Sequence, residues 1–173
     1  MTASLHQITM TFSAEEDRML LRISTTEASE YQLWLTRRFI KVLWTALIET
    51  LERHPELRKS LLPEVKNAMM NMRHQEAIAA AEFSEPHAEG KRDLTSNTGP
   101  LLVSSGTVAP MNNGLTKLTF NTSDGTGVNF SLNEKLLHAV CQLIITSSQK
   151  ADWALDLAVG DPTIIVPEKS SVH

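Results

Sequence analysis

The chain is poor in the features that usually announce a function. It has one cysteine, Cys141, so no internal disulfide forms, as in proteins of a reducing compartment. Its most apolar stretch, Phe39 to Ile48, is about half the roughly 20 residues a membrane span needs and contains Lys41. The opening residues, MTASLHQITM, lack a basic stretch followed by a long apolar run, so no secretory leader is expected. Basic residues do not dominate: 16 Lys and Arg stand against 20 Asp and Glu, a net charge of −4. No global cationic field therefore draws nucleic acid or an anionic membrane. A soluble cytoplasmic protein is expected, with nucleic acid and membrane outside its partners.

Catalytic signatures are missing as well. There is no G-x-x-x-x-G-K-[ST] or G-x-G-x-x-G loop to cradle phosphate and no G-x-S-x-G elbow to expose a serine. Asp124-Gly125-Thr126-Gly127 suggests the turn of an aspartic protease. However, glycine follows the aspartate directly and the motif is not repeated, so a type I′ hairpin accounts for it. The six histidines are scattered. His138 and Cys141 are three apart on a predicted helix, close enough to share a metal, but Cys141 falls in the apolar face, where a core thiol is the simpler reading. No catalytic residue, metal ligand or cofactor is expected.

What is present is a fold. With 42% apolar residues in 173, the chain can bury the core of one domain. Ile8, Met10 and Phe12 alternate with polar residues, as do Met19, Leu21 and Ile23. Ser13 to Asp17 connects the two predicted strands as a hairpin. Ser24 to Glu27 matches an S-x-x-E capping box, which predicts a helix running to about His54, before Pro55. At ~100° per residue, Leu35, Phe39, Ile40, Leu43, Trp44, Leu47 and Leu51 form its apolar arc, broad enough to meet both a sheet and a second helix or subunit. Pro63 opens a second helix. On it Val65, Met69, Met72, Glu76, Ala79 and Phe83 recur at heptad-like spacing, a seam that packs on the first helix or pairs between subunits.

Residues 84–100 are nearly devoid of apolar side chains and read as a flexible loop. Three strands follow as a meander. A third helix opens at Ser131 to Glu134, with Leu136, Leu137, Val140, Cys141 and Ile144 inward. The tail from 160 to 173 reads as frayed. The expected class is therefore α+β: a single two-layer domain over 1–173, about five antiparallel strands and about three helices in the order ββαα-loop-βββα.

On the first predicted helix Trp34 falls among Arg37, Arg38 and Lys41, opposite the apolar arc. One reading is a solvated face whose indole is covered by arginine stems. The sharper reading is a contact patch, because Trp and Arg are enriched at interface hot spots, and a base-stacking platform is a third. The candidate interaction residues are Trp34, Arg37, Arg38 and Lys41, with the adaptable Met69 and Met72 behind them. The expectation is a non-enzymatic interaction module, homodimeric or bound to another protein. The alternative is a small-molecule site between helices and sheet, lined by Asn112, Asn113, Thr116 and Asn129. The stretch ISTTEASEYQLWLTRRFIKVLW, Ile23 to Trp44, resembles conserved hypothetical proteins of Gram-negative bacteria that have no assigned function. The resemblance implies a bacterial, cytoplasmic protein and no activity.

Overall fold

The computed structural model describes residues 5–27, 29–60, 62–81, 93–94 and 99–160. The two alternating segments form β1 (Leu5–Ser13) and β2 (Arg18–Thr25). They pair antiparallel with Met10 opposite Leu21 and Phe12 opposite Met19, so both apolar sets share one face.

The next element differs from expectation. Residues 29–36 are not helical but form β3 (Ser29–Thr36), antiparallel to β2. Leu33 and Leu35 are buried at period two, while Gln32 and Trp34 lie half-buried on the other face. Ser24 is no cap: it sits buried in β2, and its hydroxyl has no hydrogen-bond partner among the described residues. The cap is Thr36, whose hydroxyl accepts from Phe39 N–H at 3.2 Å and starts α1 (Arg37–Glu52). The expected arc from Ile40 onward holds, with Ile40, Leu43, Leu47 and Leu51 buried and Trp44 packed beside them.

A short α2 (Pro55–Arg58) and α3 (Pro63–Ala80) follow. The predicted seam of α3 faces solvent instead of packing on α1: Val65 and Met72 are exposed, as are Glu76 and Ala79. The buried stripe lies one step round the helix and consists of Met70, His74 and Ala77. A hydrophobicity count misses it because its central residue is a histidine. Phe83 and most of the connection 84–100 lie outside the described residues, except that Asp93–Leu94 forms β4, parallel to β3. The tail beyond Gly160 lies outside them too.

The meander is β5 (Leu101–Pro110), β6 (Thr116–Thr122) and β7 (Gly127–Leu132). Between β6 and β7 only Gly125 has positive φ (87°), so the connection is a longer loop and not the two-residue type I′ turn. α4 (Glu134–Lys150) is capped by Asn133, whose side chain accepts from Leu136 N–H at 2.9 Å.

All these strands join one mixed sheet in the order β1-β2-β3-β5-β6-β7, with β4 beside β3. The all-antiparallel expectation fails beside β3, which runs parallel to β4 and, with Leu33 opposite Leu101, to β5. The three helices between them supply the crossover that parallel neighbours need. The class remains α+β in two layers. α1 lies on β3 and β5, where Phe39 meets Phe120 edge-on with ring centroids 5.6 Å apart. α4 starts at the β7 edge and reaches β1, where Ser147 Oγ donates to the Met10 carbonyl at 3.4 Å. Just beyond, Trp153 Nε1 donates to Asp17 Oδ1 at 2.8 Å, tying the end of the described chain to the first hairpin. No helix among the described residues is long and apolar enough to cross a membrane.

Candidate functional site

The densest polar arrangement lies where α2, α3 and α4 meet. Arg73 on α3 grips Glu134 on α4 with two hydrogen bonds, Nε to Oε1 at 2.7 Å and Nη2 to Oε2 at 2.9 Å. Its Nη1 donates to Glu56 Oε2 at 2.6 Å. His54 Nε2 is 3.4 Å from the same Glu134 Oε2, while its Nδ1 accepts from Glu56 N–H and caps α2. The bidentate geometry is the strong form of the Arg–carboxylate pair. It holds the Glu134 carboxyl below its ordinary pKa, chiefly through the hydrogen bond from Arg73, and it raises the pKa of Arg73 in turn.

Behind this pair lie two histidines removed from water: His74 is 3% exposed and His138 2%. Their Nδ1 atoms are 3.1 Å apart. His74 Nε2 is 3.1 Å from Gln142 Oε1, Gln142 Nε2 donates to Thr146 Oγ1 at 3.3 Å, and His138 Nε2 is 3.7 Å from Glu134 Oε1. With Gln142 so oriented, His74 carries its proton on Nε2 and accepts from His138 Nδ1–H, leaving His138 Nε2 bare toward Glu134. Turning the amide over reverses every donor and points His138 Nε2–H at the carboxylate, so this second order is the one that sets no bare ring nitrogen against an anion. Burial pushes both histidines below their usual pKa. His138 reaches about 4, because the neighbouring His74 adds to the effect of burial while Glu134 opposes it. At neutral pH both rings are uncharged, as a paired buried site requires.

The chemistry of this cluster is limited. Among the described residues it ends at the Thr146 hydroxyl on one side and at the Glu134 carboxylate on the other. The Cys141 thiol on the same helix is fully buried, and burial pushes its pKa up to about 12, so it stays a thiol. No group of three or more His, Cys, Asp or Glu among the described residues is arranged to hold a metal ion. His138 and Cys141, considered together from sequence, both lie in the core, 2% and 0% exposed.

Glu134 also borders a cavity of about 390 Å³. Its walls are the end of α1 (Leu51, Arg53, His54), the β5–β6 turn (Leu115, Thr116) and the first turn of α4 (Glu134, Leu137). A cleft between helices and sheet was the alternative expectation, but of the four residues proposed to line one only Thr116 does. Asn113 closes the turn by accepting from Leu115 N–H at 3.1 Å, Asn129 accepts from Thr119 Oγ1 at 2.7 Å, and Asn112 is exposed elsewhere on the turn.

The expected interaction residues separate. Trp34 belongs to β3 and sits on the sheet face opposite the core in a row with Leu20 and Leu102, its cross-strand neighbours. Arg37, Arg38 and Lys41 are exposed on α1, so the four do not share a helical face. The period-two reading of Leu33, Trp34 and Leu35 was the signal that could have placed the indole. Met72 lies on the outward side of α3, and Met69, half-buried and packed against the core, borders it. Leu62 (61% exposed), Val65 (42%) and Met72 (59%) make up three of the five large exposed hydrophobics among the described residues, with half-buried Met69 between them. Comparison of the chain with protein-family profiles, with curated proteins and with solved structures finds no match.

Proposed function

We propose that the chain is a non-enzymatic interaction module that self-associates through the outward face of α3. The observation that supports this most is the apolar stripe Leu62, Val65, Met69, Met72. Its spacing of three, four and three is that of a coiled-coil seam, and its outer members are open to solvent. A two-fold axis sets such a stripe against its own copy, so one surface serves both partners. The buried side of α3 is already occupied by α4, which leaves this side for a second chain. One pair of helices of this length buries less than the roughly 1,200 Å² of a standard interface, so the dimer is weak and concentration-dependent. The resemblance of Ile23 to Trp44 to Gram-negative proteins favours a bacterial, cytoplasmic setting. Arg37, Arg38 and Lys41, exposed on a different helix, are available to a further protein partner.

The test is sedimentation equilibrium over a wide concentration range, on the full chain and on the Val65→Glu/Met72→Glu variant. The parent should dimerise as concentration rises, and the variant should stay monomeric with an unchanged melting temperature. A parent monomeric throughout, or a dimer that survives both charges, removes α3 as the contact surface.

A further inference from the structure

Beyond α4 the chain doubles back along the last turn of its own helix, and the two stretches border a cavity of about 280 Å³ to which α3 contributes no residue. The charge on its walls is unbalanced. Asp152 and Asp156 line it, both exposed, and no Lys, Arg or His stands beside them on the lining. Neither carboxylate makes an ion pair or a side-chain hydrogen bond among the described residues. Much of the remaining wall is aliphatic, with Ile145 from α4 and Leu155 and Leu157 from the returning chain, each half-buried.

Two aspartates on a loop select nothing by themselves, and the backbone accounts for their presence. Asp152, Ala154 and Asp156 have left-handed φ of 52°, 52° and 48°, a conformation that aspartate tolerates better than most residues. A second feature is not explained that way. Ser148 lines the same cavity and is 6% exposed, and its Oγ, closed off from water, has no hydrogen-bond partner among the described residues. Its neighbour Ser147, just as deep, has one in the Met10 carbonyl. A hydroxyl held that deep normally finds a partner, and Ser148 carries the only hydroxyl on this lining. The site thus offers two anions, an unmet oxygen acceptor and a hydrocarbon surface, with no cation of its own. A bare divalent metal ion would want six or more oxygens around it, whereas Ile145, Leu155 and Leu157 present hydrocarbon. An organic dication meets both demands.

We infer that this cavity binds a short aliphatic diammonium ion, one ammonium at each aspartate, its methylene chain against Ile145, Leu155 and Leu157, and one N–H donating to Ser148 Oγ. The space falls just under the roughly 300–1,000 Å³ of sites for drug-sized ligands, which suits so small a molecule. The probes are putrescine, butylamine, butanediol and calcium chloride. Each is titrated into the full-length protein at neutral pH and low salt, where exposed carboxylates are least screened, and followed by two-dimensional amide NMR. Putrescine should saturate at one site per chain, with shifts centred on residues 148–157, and bind more tightly than butylamine, with the diol silent. Asp152→Asn and Asp156→Asn keep a side chain that tolerates the left-handed backbone. Each should weaken putrescine about tenfold, the loss of one charge-assisted contact, down to the level of butylamine. Ser148→Ala should weaken putrescine about fivefold and leave the urea midpoint no lower, because it removes an unpaired hydroxyl. The inference is overturned if putrescine does not bind, if the diol matches it, if calcium ion moves the same amides at lower concentration, or if either aspartate variant binds as the parent does. It falls equally if Ser148→Ala binds as tightly as the parent, because the aspartates alone select no ligand. None of these outcomes bears on self-association through α3.

Discussion

Gly106 lies in the middle of β5, where glycine weakens a strand. A Cβ there would come within 2.9 Å of the Thr119 carbonyl oxygen, 3.0 Å of Phe120 Cδ1 and 3.1 Å of Phe39 Cζ. The missing side chain lets the first turn of α1 press its Phe39 ring onto the sheet. Gly106→Ala should therefore destabilise the fold by about 1–3 kcal/mol, the usual overpacking range, in urea unfolding followed by tryptophan fluorescence. From sequence Gly106 was only an interruption in a strand pattern, since the ring above it arrives from more than 60 positions earlier. The polar cluster was hidden for the same reason. His54, His74 and His138 look scattered because nothing local records that α3 and α4 lie side by side. The depth of Thr116 was as hard to read, whereas Leu21, Leu33 and Leu118 advertise their burial through strict alternation.

Among elements, the boundary between β3 and α1 is where local rules competed. Ser24-Thr25-Thr26-Glu27 satisfies a capping box, and residues from Leu35 onward satisfy a helical arc, so one long helix is consistent with both. The sheet decides otherwise, because Leu33 and Leu35 complete the buried face that β2 has begun, and tertiary pairing overrides a local cap. The two candidate caps now predict opposite results. Thr36→Ala removes the hydroxyl that accepts from Phe39 N–H and should cost about 1 kcal/mol. Ser24→Ala removes a buried hydroxyl without a partner and should be neutral or slightly stabilising. Equal losses from the two substitutions, measured as shifts in urea midpoint, would contradict this assignment of the helix start. Elsewhere the local signals sufficed: the Ser13–Asp17 hairpin, the β5–β7 meander and the buried face of α4 were legible because each is a short-range pattern repeated several times. α3 was misread by one step, since its core-facing stripe holds the histidine and the outward stripe holds the methionines.

On the scale of the whole molecule, two antiparallel halves are joined by one parallel seam, β3 against β5, and overlaid by helices that bridge them. The seam was invisible in the sequence because strand order is a long-range property. It makes stability depend on contacts among α2, α3 and α4, where the ion pairs and the buried histidines lie, and that dependence should follow pH. His74 and His138 have depressed pKa values in the folded chain, His138 about 4 against an ordinary 6.5. The unfolded chain therefore binds protons that the folded chain refuses, and stability rises with pH across this interval. The histidine contribution is complete above about 6.5 and is lost as pH falls toward 4. Glu134, its folded pKa held below 4.5 by Arg73, adds a second loss at still lower pH. At the other end Cys141 acts in reverse, since the unfolded thiol ionises near 9 and the folded one only near 12, so stability declines above pH 9. Urea midpoints from pH 4.5 to 8 should climb for the parent. They should be much flatter over the same range for the His74→Leu/His138→Leu variant, which keeps the α3–α4 contact but has no ring to protonate. Either single substitution should be worse than the pair at pH 7.5, because it leaves the surviving imidazole buried without its partner. A parent whose midpoint does not move between pH 4.5 and 6.5 would mean that the two rings are charged, or in contact with water, in the folded protein.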